Sequence, residues 1–345
     1  VTDVSARAPR PALWRRHGVP DYREGMFAAY AARIDRDRPL NGLELGDRPA
    51  PQAPPGWTVV DVRAASLNHH DLWSLRGVGL AEEALPMILG CDAAGVDADG
   101  NEVVVHGVIG ATGHGVGPRE RRSLLSEKYQ GTFAERVAVP AWNVLPKPPG
   151  LSFEEAACLP TAWLTAYRML FTAARVRPGD RVLVQGAGGG VATAAVLLGR
   201  AAGLRMYVTS RDAAKRERAI ALGAEAAFPA GERLPHRVDA VLESVGEATW
   251  SHSVASLRPG GTLVLCGATS GQAPRSAELN RIFFLELTVT GVTMGGRDEL
   301  ASLLDFCVTA GVRPPIDTVL PLDRARDAFA RLESGDLFGK AVLTV

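Results

Sequence analysis

The segment from Arg181 to Arg211, RVLVQGAGGGVATAAVLLGRAAGLRMYVTSR, constrains this chain more than any other. Its β-branched run Val182-Leu183-Val184 predicts a buried strand. The glycine cluster from Gly186 to Gly190 then turns the chain into a helix rich in alanine and leucine. A second strand, Met206-Tyr207-Val208, ends in Thr209-Ser210-Arg211. Strand, glycine turn, helix, strand is the order of a dinucleotide site. Glycines let the backbone approach a pyrophosphate, and the helix start offers free N–H groups at the positive end of its dipole. The turn carries Ala187 and Ala192 at the outer motif positions around Gly189, so its first position departs from GxGxxG. An acidic residue at the end of the second strand would hold the ribose 2′-OH of NAD, whereas Arg211 suits a 2′-phosphate. The expected cofactor is therefore NADPH.

A chain of 345 residues fits two domains, and a hydrophobic fraction of 46% supplies ample core. With 38 basic and 38 acidic residues the formal net charge is zero, which gives no general attraction to nucleic acid or to a membrane surface. No apolar run approaches the ~18 residues of a membrane span. Residues 1–24 carry several arginines and prolines and no apolar core of a secretory signal, so a flexible arm is expected over 1–25. Cys91, Cys158, Cys266 and Cys307 are widely spaced, which argues against a disulfide framework and points to the cytoplasm. Three of them lie in apolar surroundings and are expected to be buried.

From Met26 to about Val144 the pattern is β-rich. Strands are expected at 57–63, 102–105 and 131–139. Ser152, with Glu154 and Glu155 after it, caps a helix. From Arg181 strands and helices alternate: helix 213–222 closed by Gly223, then strands at 238–242, 261–267 and 287–292. Such βα repetition requires a parallel sheet covered on both faces. A helix around 322–332 and a strand at 340–345 follow.

Several pieces together carry a family resemblance. They are Ala65-Ser66-Leu67-Asn68-His69-His70-Asp71, Leu89-Gly90-Cys91-Asp92-Ala93-Ala94-Gly95, Leu159 to Tyr167, the glycine turn, and Gly339-Lys340. The chain resembles the medium-chain dehydrogenase/reductase superfamily over residues 26–345. The resemblance implies an α/β protein with a GroES-like β-barrel domain, residues 26–146 plus 312–345, and a Rossmann doubly wound parallel-sheet domain, residues 147–311. The active site would lie in the cleft between them. In the zinc branch, metal ligands would stand at Asn68, Cys91 and the position matched to Ala157, with an acid at Asp92. Asn68 and Ala157 cannot ligate, and residues 106–130 lack the cysteines of a structural zinc lobe. The pattern is similar to the zinc-independent quinone oxidoreductase/enoyl reductase branch. That branch transfers a hydride from NADPH to a quinone or to the activated C=C of an enone.

The resemblance further assigns Gly186, Gly188, Gly189, Gly190 and Val191 to the phosphate turn. Ser210, Arg211 and Lys215 would take the 2′-phosphate, and Lys340 would point toward the cofactor phosphates. Thr165, Gly267 and Ala268 would line the nicotinamide side. Asp71 is expected to cap a helix and Asn68 to touch substrate or nicotinamide. His69, His70 and Tyr129 are candidate proton donors to the enolate. A small-molecule substrate and a homodimer, formed through the edge strand around 287–292, are the implied partners. Two alternatives stay open. One is an alcohol dehydrogenase or carbonyl reductase with a zinc site rearranged around Cys91, Asp92, His69 and His70. The other is a non-catalytic NADPH-binding protein.

Overall fold

A computed structural model describes residues 25–110 and 122–345. Nearly all of the expected N-terminal arm, and residues 111–121 within the cysteine-free 106–130 segment, lie outside the described residues. The first layer is built on the long strand Trp57–Ser66. It pairs antiparallel with Asp92–Asp97, Arg136–Pro140 and Lys340–Thr344. Glu102–Val105 and Val144–Pro146 extend the sheet on one side, and Ile316–Pro321 extends it on the other. A three-stranded sheet and a two-stranded pair complete this β-rich part. Its core holds Val60, Val62, Leu89, Phe133, Val137 and Phe329. The strand expected at 131–139 starts only at Arg136. The preceding residues are drawn elsewhere, because Thr132 and Phe133 donate their N–H groups to Gly90 and Leu89.

The second sheet is wholly parallel. Its spatial order is Ala226–Phe228, Arg205–Thr209, Arg181–Gln185, Val238–Glu243, Leu257–Leu265, Thr288–Gly291. That is the doubly wound order, with the first strand at the topological switch point. Why this strand reads as an unbroken apolar run is visible in the packing. Val182 and Val184 enter one core, and Leu183 between them enters another on the opposite face. A strand buried on both faces needs no polar alternation. Local signals also act as expected. Ser152 and Glu155 form a reciprocal cap, and Gly223 closes the helix Ala213–Leu222 at φ +108°.

Cys91, Cys158 and Cys307 are buried and Cys266 is half-buried, all as free thiols. Burial pushes the thiols of Cys158, Cys266 and Cys307 up to about 12. Among the described residues no helix is long and apolar enough to cross a membrane.

Candidate functional site

At the C-terminal end of Arg181–Gln185 the chain makes its glycine turn. Gly186 takes φ +90°, a left-handed conformation that a side chain would strain. Gly189 caps the twelve-residue helix Gly190–Ala201. A Cβ on Gly190 would stand 3.0 Å from both Ala162 Cβ and Lys340 Cδ, so the helix start packs on those side chains. The next strand ends beside this turn, and Ser210 and exposed Arg211 follow it. Asp212, the nearest acidic residue, is engaged as a helix cap, accepting the N–H of Lys215 at 3.2 Å. The stem of Lys215 lies over Gly188 while its ammonium bonds the Gly335 carbonyl. Gly267 and Ala268 follow the strand Leu257–Leu265, and the backbone of this loop bonds Ser244 and Val245. Glu243 holds the facing loop: its buried carboxylate accepts from Val245 N, Gly246 N, Thr249 Oγ1 and Ser253 Oγ.

A second group lies between the two sheets. Asp92 is fully buried and accepts from Ser66 Oγ at 2.8 Å, Asn68 Nδ2 at 2.8 Å and Thr161 Oγ1 at 2.6 Å. The ammonium of Lys340 donates to Leu67 O and Asn68 Oδ1, each at 2.6 Å, and lies 3.5 Å from Asp92 Oδ2. Strand register explains the meeting. Val342 pairs with Ser66, so Lys340 falls beside Asn68, and Ser66 pairs with Asp92 on its other side. Thr161 arrives from the wide-turned helical segment Leu159–Trp163, and Thr165 one turn on bonds its carbonyl. Wide turns of this kind are frequent at functional sites. A buried carboxylate, its ammonium and a locked amide are thus gathered around Lys340, whose stem packs against Gly190 of the glycine turn.

The family model described as "Alcohol dehydrogenase GroES-like domain" matches residues 54–149, and that described as "Zinc-binding dehydrogenase" matches residues 190–309. A zinc-type alcohol dehydrogenase-like protein of Schizosaccharomyces pombe is 30% identical over 321 residues, covering 84% of this chain and 91% of its own. The chain belongs to the medium-chain dehydrogenase/reductase superfamily. Among solved structures of this superfamily's fold, an NAD-dependent alcohol dehydrogenase is 30% identical with a TM-score of 0.83, over 93% of this chain and all of that one. The 2-octenoyl-CoA carboxylase reductase CinF, in complex with NADP and 2-octenoyl-CoA, is 25% identical with a TM-score of 0.82, over 95% and 88%. The protein is thus a medium-chain oxidoreductase with the fold its sequence pattern implied.

Zinc is implied by one family description, and a catalytic zinc takes three sulfur, nitrogen or carboxylate ligands. In this superfamily member the cleft presents an amide, a hydroxyl, a carboxylate already bonded to three donors, and an ammonium beside it. That set does not fit the metal. Ala157, matched to a ligand position from the sequence, lies in the core, and it is Thr161, one turn on, that reaches Asp92. Cys91 turns away from Asp92, as adjacent residues at a strand entry do. Its sulfur lies 3.3 Å from His70 Nδ1, and His70 Nε2 lies 2.9 Å from Glu127. Burial raises the Cys91 thiol, so it stays protonated. Burial opposes charge on His70, yet Cys91, Asp71 and Glu127 outweigh it and raise the ring well above its ordinary value.

The other expected site residues divide clearly. Asp71 caps its helix as expected, accepting Asn68 N–H at 2.8 Å. The Asn68 side chain is free of capping and is given wholly to Asp92, Ser66 O and Lys340. Lys340 departs from its expected direction: its stem passes the glycine turn, and its charge ends on Asn68 and Asp92. His69 presents an exposed ring, and its pKa is lowered by crowding against protein and then by the Lys340 charge. His70 is committed to Cys91 and Glu127. Tyr129 packs edge-on against Trp57 at 5.0 Å, at the opposite end of the strand Trp57–Ser66 from Asn68. The structure does not gather it with the cleft group. Thr161 and Ser66 were missed; the i, i+4 spacing of Thr161 and Thr165 on one helix face was the available signal for the first.

Proposed function

We propose that this protein is an NADPH-dependent oxidoreductase that reduces an activated C=C or a quinone with no metal in the cleft. The observation that carries the reading is the donor set around Asp92, which offers an ammonium and hydrogen-bond donors where a metal would need ligands. Arg211, exposed beyond a strand whose neighbouring Asp212 is occupied, supports a 2′-phosphate in preference to a bare ribose. CinF, a reductase of the same fold crystallised with NADP and 2-octenoyl-CoA, supports the acceptor class.

NADPH, when bound, supplies the hydride and leaves a developing enolate or hydroquinone anion on the acceptor. The chain's own residues bind, orient and screen. Backbone N–H groups at the start of Gly190–Ala201 would hold the pyrophosphate, and Arg211 would hold the 2′-phosphate. Asn68, held from both ends of its amide, forms a rigid polar floor at the cleft. The anion takes its proton from water. An NADPH-oxidation screen over quinones, enones and aldehydes, run beside NADH and with metal analysis, tests this reading. Turnover of quinones or enones with NADPH supports it, and faster oxidation of NADH, or activity on aldehydes alone, overturns it.

A second reading, an alcohol dehydrogenase or carbonyl reductase with a displaced metal site, draws on His70, Asp71 and Cys91. Their ligand atoms lie within 4.8 Å of one another. Stoichiometric zinc that survives dialysis, with activity lost on chelation, would favour it.

We further propose a homodimer. Thr288–Gly291 is the edge of the parallel sheet, and Val289 on it is 39% exposed. The preceding helix Leu279–Phe284 exposes Leu279, Phe283 and Phe284. An unpaired edge beside an apolar patch favours a self-complementary interface. Light scattering is expected to give a dimer for the parent and a monomer for Phe283→Glu/Phe284→Glu. A monomeric parent at working concentration refutes it.

A further inference from the structure

A divalent metal and a buried ammonium answer the same electrostatic need, that of a positive charge beside a buried carboxylate. We propose that Lys340 is a fixed internal cation that orients Asn68, a positioning residue rather than an anchor for cofactor phosphates; this rests on the metal-free reading above. Burial and hydrogen-bond counting make the case. Lys340 is 2% exposed and Asp92 is fully buried. An ammonium has three protons, and three oxygens surround this one: Leu67 O, Asn68 Oδ1 and Asp92 Oδ2. Moving it to a phosphate would strip a buried carboxylate of its only cation within salt-bridge distance among the described residues.

The arrangement also fixes which way Asn68 faces. Its oxygen must meet the ammonium and its nitrogen the carboxylate, so neither end of the amide is interchangeable. Without Lys340 the oxygen loses its partner and the amide is held from its nitrogen end alone. The stem supplies a link to the nucleotide side. Lys340 Cδ packs where a Cβ of Gly190 would stand, and the neighbouring Gly339 N–H donates to Gly188 O at 2.8 Å. The glycine turn therefore rests on the backbone and stem of this segment, while the charge is spent beyond it, on Asn68 and Asp92.

The test uses the full chain with Lys340→Met, and with Lys340→Met/Asp92→Asn, which removes both buried charges and so preserves folding. NADPH affinity is read from nicotinamide fluorescence without substrate, and kcat and KM for NADPH from turnover. The proposal expects affinity and KM within about twofold of the parent and kcat lower by about tenfold or more in both variants. Lys340→Arg is expected to restore part of kcat. NADPH affinity weakened about tenfold with kcat retained would overturn it, because that is the signature of a phosphate anchor. So would an unchanged kcat in the double variant. Should the parent reduce neither quinones nor enones, the proposed reaction falls by itself. The fluorescence titration still decides between anchor and internal cation.

Discussion

Arg211→Glu is expected to lower kcat/KM for NADPH by about a hundredfold while leaving NADH use nearly unchanged. A hydrogen bond to a charged group contributes about 1.5–3 kcal/mol, and tenfold in an equilibrium corresponds to about 1.4 kcal/mol. Losing the guanidinium alone accounts for roughly ten- to a hundredfold; a carboxylate set against a 2′-phosphate adds repulsion. The substitution is safe for the fold, because Arg211 is exposed and follows the strand Arg205–Thr209 outside the core. Paired assays with both cofactors below saturation give the ratio directly. An NADPH-to-NADH preference within about twofold of the parent would remove Arg211 from the 2′-phosphate site.

Asp92→Ala is expected to be the most damaging single substitution for stability, at about 3–5 kcal/mol. Three donors, Ser66 Oγ, Asn68 Nδ2 and Thr161 Oγ1, would lose their acceptor, and the Lys340 ammonium would be left buried without its counter-ion. Removing one member of a buried pair costs far more than replacing both. Chemical denaturation read by tryptophan fluorescence measures this without reference to activity. A loss below about 1 kcal/mol would mean that water compensates the lysine, and the closed network described above would not hold.

Sequence pattern revealed the nucleotide sheet because each of its parts announces itself locally. The run Val182-Leu183-Val184 is short and apolar on both faces, the glycines that follow are tightly spaced, and Gly223 stops its helix in the left-handed region. The cleft group is of another kind. Lys340 and Leu67 are 273 positions apart, and nothing short of strand register says that Lys340 stands beside Asn68. Ala157 ends a short helix inside the core, whereas Thr161, in the wide-turned segment that follows, reaches Asp92. Tyr129 and His70 looked available as acids since polarity is visible in sequence and partnership is not. The Tyr129 ring packs on Trp57, and the two His70 nitrogens meet Cys91 and Glu127.

The strand Lys340–Thr344 has a consequence for assembly. It slots between Trp57–Ser66 and Ile316–Pro321, yet it is synthesised after the entire nucleotide sheet. Closing so large a loop is slow for a disordered chain. With the intervening sheet folded, the Gly188 carbonyl that accepts the Gly339 N–H would hold this strand close to its slot. On that order the nucleotide half would act as an internal template for the barrel, and the cleft would acquire Lys340 only when both halves are built. A chain stalled before this strand would leave Ala64, Ala65 and Ser66 on one side and Ile316–Pro321 on the other without their pairing partner, an exposed edge of the kind quality control recognises.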